Sequence, residues 1–300
     1  MVGKHIIPAL MAVAVVASLS SCASLKRLFS SDQSEYLTGK KIAAGYEHKG
    51  TIREIFYKCS VPGPTKRRML VYLPEGYSSE KTYPVMYLLH GARGNETSWL
   101  RDGNALYILD SLFENGLAEK AIAVFPNMNQ YDDDEDAYQS RFKKPFESFF
   151  ESNGAVESSF CNDVVKTVDR MFNTIPDKNH RALIGLSIGA FQAIHISAAN
   201  PDTFGYIGLF SPFCKAPVRN GEYRSFYDNL RDKQKIQFRD PPERYSIYIG
   251  YWDVFSQHTD YMKRSLGERG FKYQYHMTGG GHDWPYWRMF LTEFAQELFK

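Results

Sequence analysis

From about residue 50 onward, short apolar runs alternate with stretches of helical spacing. Residues 52–59 and 68–73 read as two early strands, joined across the turn residues Pro62, Gly63 and Pro64. Residues 85–89 are apolar without interruption, the pattern of a strand covered on both faces, and 121–125 repeat it. Leu106, Ile108, Leu109 and Leu112 fall at helical spacing, and so do Val164, Val168 and Phe172. Residues 182–184 lead into a strand end, and 188–199 predict a helix behind it. Residues 206–210 and 245–249 predict two more strands. A helix over 258–268, a strand over 271–276 and a helix over 285–299 close the series. Pro285 is expected at the first helical position, where its missing N–H costs nothing. Strands that alternate with helices predict an α/β fold, a mostly parallel central sheet with helices on both faces. Ligands then sit beyond the carboxyl ends of the strands.

The pattern is different before residue 50. Lys4 and His5 precede an apolar run, residues 6–19, which has signal-peptide length and is short for a membrane span. Leu19-Ser20-Ser21-Cys22 resembles a bacterial lipobox, in which Cys22 becomes the acylated first residue of the mature chain. Residues 1–21 are therefore expected to be a lipoprotein signal peptide, 22–49 a polar lipid tether, and 50–300 the catalytic domain. The expected location is the cell envelope, with the membrane reached through the lipid anchor only. Ala23, rather than Asp, after the cysteine points to the outer membrane of a Gram-negative bacterium.

Composition narrows the function classes. The net charge is only +2, which gives no reason to expect a nucleic-acid partner. Lys66-Arg67-Arg68 is the densest basic run, and it reads as a solvated turn before a strand. Beyond Cys22, the three cysteines Cys59, Cys161 and Cys214 lie in or beside apolar stretches. Their odd number rules out a full disulfide framework and suggests buried free thiols. No metal-ligand spacing links them, so neither a metal nor a cofactor is expected. Aromatic residues make up 15% of the chain, a share that suits a packed core and also sites that hold sugar rings or aromatic acids. The segment 127–159 reads as an insertion, either a lid over the site or an acidic loop covering its own apolar cluster. Its Asp132, Asp134 and Asp136 lack the glycine of a calcium loop, where Ala137 stands instead.

Gly185-Leu186-Ser187-Ile188-Gly189 is a G-x-S-x-G pentapeptide between a predicted strand and a predicted helix, the context in which a serine is raised as a nucleophile. Such a serine needs a base. His282 follows three glycines in the loop between the last strand and the last helix. The base needs a carboxylate to hold its tautomer. Asp253 follows the strand that ends at Gly250, whereas Asp260 falls within a predicted helix and Asp283 adjoins the histidine itself. The chain order Ser187, Asp253, His282 is that of α/β-hydrolases. An oxyanion needs two backbone donors. The amide of Ile188 is one, and that of Ala92, in the His90–Gly94 loop after an early strand, is expected as the other.

Four separated motifs now stand in order. These are Leu88-Leu89-His90-Gly91, Asn95 through Trp99, Gly185 through Gly189, and Gly280-Gly281-His282-Asp283-Trp284 with Trp287. Together they resemble the putative-esterase family, which includes feruloyl and acetylxylan esterases, S-formylglutathione hydrolases and mycolyltransferases. The likeness spans residues 50–300. It implies the α/β-hydrolase fold and cofactor-free ester chemistry on a small or polysaccharide-linked ester. It also places Trp284 and Trp287 beside the triad histidine and, with Trp99, marks them as candidate substrate contacts or as core. Ala190 departs from the family, which commonly has a second glycine there. A feruloyl or acetyl ester on plant polysaccharide is the first expectation for the substrate. Acyl transfer, an S-formylglutathione hydrolase-like thioesterase, and a catalytically inactive carbohydrate-binding lipoprotein are the alternatives. Oligomeric state is not legible in the sequence.

Overall fold

A computed structural model describes residues 45–61, 66–129, 152–215 and 221–300. Cys22 with its lipobox, most of the tether, and the acidic run from Asp132 to Asp136 lie outside the described residues. Among the described residues, no helix is long and apolar enough to cross a membrane.

Eight strands form one sheet in the order β1-β2-β4-β3-β5-β6-β7-β8. They are β1 (Thr51–Lys58), β2 (Lys66–Leu73), β3 (Val85–Leu89), β4 (Ile122–Pro126), β5 (Arg181–Leu186), β6 (Tyr206–Phe210), β7 (Arg244–Gly250) and β8 (Gln274–Thr278). β1 pairs with β2, and β2 with β4, in antiparallel register; β4, β3 and β5 through β8 run parallel. The expected mostly parallel sheet is what the chain forms. The uninterrupted apolar runs behave as fully covered strands, every residue of β3, β4 and β6 being buried.

Successive residues on a strand point to opposite faces, so each strand feeds two cores. Met86 and Leu88 enter one, and Val85, Tyr87 and Leu89 the other. Helices α1 (Ser98–Arg101), α2 (Ala105–Glu114) and α8 (Trp284–Ala295) cover the first face. The second face is covered by α3 (Ala155–Phe160), a π turn at Cys161–Val165, α4 (Lys166–Met171), α5 (Ile188–Ala199), and α7 (Ser256–Glu268). α6 (Leu230–Gln237) lies beside α5. α5 is buried along nearly all its length, as an all-round apolar helix must be, and this sets the rigid base of the site.

Several local expectations need correction. β8 begins at Gln274, not 271, because Phe271 stacks on Phe238 (4.2 Å, 5°) before the strand starts. Pro285 occupies the second helical position behind Asp283, and α8 ends at Ala295. The Lys66–Arg68 run is not a solvated turn. It opens β2, and Arg67 is buried, donating to the carbonyls of Asn127 and Asn129. Arg68 pairs with Glu54 at 3.0 Å and with buried Glu96. Cys59, Cys161 and Cys214 are free, as expected, but half-buried.

Candidate active site

Ser187 occupies the single turn between β5 and α5, with φ 55° and ψ −119°. That backbone is strained for a residue with a Cβ, and it persists only where the surroundings impose it. Two glycines make it possible by close approach. A Cβ at Gly185 would stand 2.2 Å from the carbonyl oxygen of Gly189, and one at Gly189 would stand 2.5 Å from that of His90. The Ser187 N–H donates to the Phe210 carbonyl at 2.9 Å, which pins the turn to the end of β6. As the first residue of α5, Ile188 has an amide with no intrahelical acceptor.

His282 and Asp253 arrive from the two neighbouring strand ends. The Ser187 hydroxyl lies 3.0 Å from His282 Nε2, and His282 Nδ1 lies 3.0 and 3.1 Å from the two oxygens of Asp253. An ionised carboxylate only accepts, so Nδ1 carries the hydrogen and the Nε2 lone pair faces the serine. Burial pushes the Asp253 carboxyl up. The hydrogen bond and charge interaction with His282, a bond from Ser211 and the Phe255 N–H (2.8 Å) outweigh burial and hold it below the usual carboxylate range. The competing acids lie elsewhere. Asp260 pairs with Lys263 on α7, and Asp283 stands at the N-cap position of α8.

The loops that carry acid and base are tied together. Tyr251 and Trp252 donate their backbone N–H groups to the carbonyls of Thr278 and Gly280 at 2.7 and 2.8 Å. The histidine ring is held edge-on by Phe255 (5.0 Å, 84°) and Trp287 (4.9 Å, 90°). Trp284 meets both Trp287 (5.2 Å) and Trp99 (5.4 Å). The three tryptophans thus form one packed chain behind His282. Trp99 is only 1% exposed and donates its indole N–H to the Leu89 carbonyl at 3.1 Å. It therefore offers no face to a ligand, which corrects the expectation of a substrate contact. Trp287 is buried as well, and Trp284 is half-buried.

Opposite the histidine, the His90–Gly94 loop crosses the nucleophile. A Cβ on Gly91 would lie 3.6 Å from that of Ser187, and Ala92 packs against the cluster of Ile188, Phe191 and Phe213. His90 shapes this loop. Its Nε2 accepts from the Met128 N–H at 3.0 Å, so its Nδ1 carries the hydrogen and donates to the Gly91 carbonyl at 2.8 Å. The segments that hold the Ala92 and Ile188 amides are thereby brought together beside the hydroxyl. Such an array serves acyl transfer, with a nucleophile, a base, a carboxylate and two backbone segments around one point.

Two features escaped the sequence. Ser211, at the carboxyl end of β6, receives the Trp287 indole N–H at 2.9 Å and bonds to Asp253. Its place just beyond a strand end was the available signal. Tyr251 and Trp252 are 58% and 75% exposed at the centre of the turn that leads into Asp253, packed edge to face at 4.7 Å. Among the described residues, no group of three or more histidine, cysteine, aspartate or glutamate side chains is placed to hold a metal.

Comparison with known proteins agrees with this arrangement. A family model described as "Putative esterase" matches residues 62–298. An endo-1,4-beta-xylanase/feruloyl esterase of Xylanibacter ruminicola is 30% identical over 241 residues, 77% of this chain. The chain spans only 29% of that relative's length. Among solved structures, a ferulic acid esterase from Anaeromyces mucronatus in complex with ferulic acid superposes with a TM-score of 0.64 at 23% identity. That match covers 86% of this chain and 94% of the other. An S-formylglutathione hydrolase from Staphylococcus aureus superposes with a TM-score of 0.60 at 17% identity, covering 85% and 99%. These two likenesses are of fold.

Proposed function

The chain belongs to the putative-esterase family, and from that premise we propose that it is a serine esterase that cleaves feruloyl or acetyl esters on plant polysaccharide. The observation that carries this reading is the continuous hydrogen-bonded line from Ser187 through His282 to Asp253. Ser187 Oγ attacks the ester carbonyl while His282 Nε2 takes its proton, and Asp253 stabilises the imidazolium. The amides of Ile188 and Ala92 receive the oxyanion. The imidazolium then protonates the departing alcohol, leaving an acyl-serine. Water, deprotonated by the same nitrogen, attacks that acyl carbon, releases the acid and restores the hydroxyl.

The substrate assignment draws on the feruloyl esterase relatives and on the exposed Tyr251–Trp252 pair, which precedes Asp253 in the same loop. Aromatic faces of this kind hold sugar rings. The lipobox at Cys22 supports a lipid-anchored protein of the cell envelope, with residues 50–300 as its catalytic domain.

The test is a kinetic panel of methyl ferulate, acetylated and feruloylated xylo-oligosaccharides and S-formylglutathione, with Ser187→Ala as control. Turnover of the sugar esters that the substitution removes is expected. Preference for S-formylglutathione would replace the polysaccharide reading with the thioesterase one. Esters consumed faster when an added alcohol appears in the product would make the enzyme an acyltransferase. If the protein turns over none of these esters and Ser187→Ala changes nothing, it is a binding protein.

A further inference from the structure

Further along α5 from Ser187 lies a cavity of roughly 180 Å³ between α5, α6 and α7. An apolar cavity of about 150 Å³ is large enough to admit benzene. Its wall is apolar, built from Phe191, Ile194, Phe213, Met262 and Leu266. Phe191 and Phe213 stack on each other (5.5 Å, 7°) and share a cluster with Ile188. His195 stands two turns along α5, about 12 Å from Ser187 at the rise of an α-helix.

The charged groups of this cavity are all cationic. Lys215, Arg231 and Arg269 line it beside the uncharged Gln234, Tyr261 and Ser265, and among the described residues no acidic side chain does. Arg269 spends two of its nitrogens on Ser265, through the carbonyl (2.7 Å) and the hydroxyl (3.3 Å). Its remaining terminal nitrogen is buried with no partner among the described residues. The Nδ1 of buried His195 is in the same condition, and its ring is held between Phe191 (4.6 Å) and Tyr227 (4.9 Å). Burial, and then the charge of Lys233, push the His195 imidazole down to about 3, so the ring is neutral and can donate from only one nitrogen. Burial, and then the adjacent Arg231 charge, also disfavour the Arg269 cation. An unpaired donor beside a second guanidinium is a costly arrangement that an anion would relieve.

From these two properties together, apolar walls and unopposed cationic donors, we infer that this cavity is a second binding site for a monocarboxylate with a one-ring apolar body. The carboxylate meets Arg269 and Arg231, and the ring lies against Phe191, Phe213 and Met262. The inference does not depend on which ester the protein cleaves.

Phenylacetate is titrated against protein whose Ser187 has been diisopropylphosphorylated by diisopropyl fluorophosphate, so that the reaction site is filled. Calorimetry gives the affinity, and ligand-observed NMR locates the ring. Saturable binding of one phenylacetate is expected, with phenylacetamide and inorganic phosphate each weaker by about tenfold or more. Arg231→Gln, on an exposed position, and Arg269→Gln should each weaken phenylacetate about tenfold while nitrophenyl acetate turnover by the unmodified variants and their Tm stay unchanged. If Arg269→Gln does not fold, Arg231→Gln alone decides. Absence of binding to the diisopropylphosphorylated protein, equal binding of the amide, equal binding of phosphate, or indifference to the arginine substitutions would each overturn the site. Failure of Ser187 to react would instead count against the esterase reading, and the titration then proceeds on unmodified protein.

Discussion

Trp287 donates its indole N–H to Ser211 Oγ at 2.9 Å, and Ser211 in turn bonds to the carboxylate of Asp253. Trp287 also lies edge-on against His282, so one buried side chain braces both the base and its acid. Ser211 is itself fully buried, with φ 52°, and its N–H is held by the Tyr248 carbonyl at 2.8 Å. The line from Ser187 therefore extends two residues beyond Asp253.

Ser211→Ala should test that extension. A hydrogen bond to a charged group is worth about 1.5–3 kcal/mol, so kcat/KM should fall by about tenfold or somewhat more. The direction of the pH shift separates this role from mere packing. Without the Ser211 donor, Asp253 loses one of the bonds that hold its carboxyl below the usual range, so the hydrogen-bonded catalytic pair takes up a proton at higher pH. The acid limb of the kcat/KM profile should move to higher pH. An unmoved limb with reduced activity would assign Ser211 to packing alone.

Asp253→Asn keeps the shape of the acid and removes its charge. An amide that donates to Nδ1 would force the hydrogen onto Nε2, where it faces the serine and cannot accept a proton. A loss in kcat of about 10³–10⁴-fold is expected, with KM for methyl ferulate little changed. Retained activity would mean that another acid serves the histidine.

Much of this site was legible because each member lies in a strand-end loop with a local signature. Ser187 had its flanking glycines, His282 its three preceding glycines, and Asp253 a position just past β7. The residues that were misread depend on partners far away in the chain. Arg67 looked like part of a solvated turn because the carbonyls that bury it belong to Asn127 and Asn129, some 60 residues on. Trp99 looked like a substrate contact because nothing near it shows that Trp284 closes over its ring. α6 was missed because LRDKQKIQ offers only two apolar residues, and its position comes from packing beside α5.

Gly189 and Ala190 are neighbours with opposite tolerance. Gly189→Ala would drive a methyl to 2.5 and 2.7 Å from the carbonyl oxygens of His90 and Leu89, both backbone atoms that cannot swing aside. A destabilisation of about 3 kcal/mol is expected, lowering Tm by roughly 6–12 °C. Ala190, where the family commonly carries glycine, is fully buried among Val156, Leu183 and Ile194 without strain. Ala190→Gly should cost about 1 kcal/mol through helix propensity and the lost methyl. Thermal melts of the two variants check both, and equal losses would refute the close-approach argument.

Trp252→Ala tests the sugar platform. Its indole is 75% exposed, while the backbone N–H is fixed to Gly280, so truncation should leave the loop in place. An aromatic contact of about 0.5–1.5 kcal/mol corresponds to a rise of roughly 3–10-fold in KM for feruloylated xylo-oligosaccharide. The constants for methyl ferulate, which has no sugar, should stay as they are. Parallel losses on both esters would show that Trp252 supports the triad instead.

Glu293 on α8 gives the fold a pH dependence of its own. Burial, and then the charge of Glu297, push its carboxyl up to about 7 from its ordinary 4.5. Between those two pH values the folded protein holds a proton that the unfolded chain releases. Stability therefore falls as pH rises through that window, and the loss is complete above about 7. Glu293→Gln carries no such titration. The melting temperature of the parent should decline relative to the variant from pH 5 to pH 8, the gap reaching on the order of 1–3 kcal/mol. At pH 4 the two should melt together, since the parent is then protonated in both states. A constant offset across the whole range would mean that Glu293 titrates in the folded protein as it does in the unfolded chain.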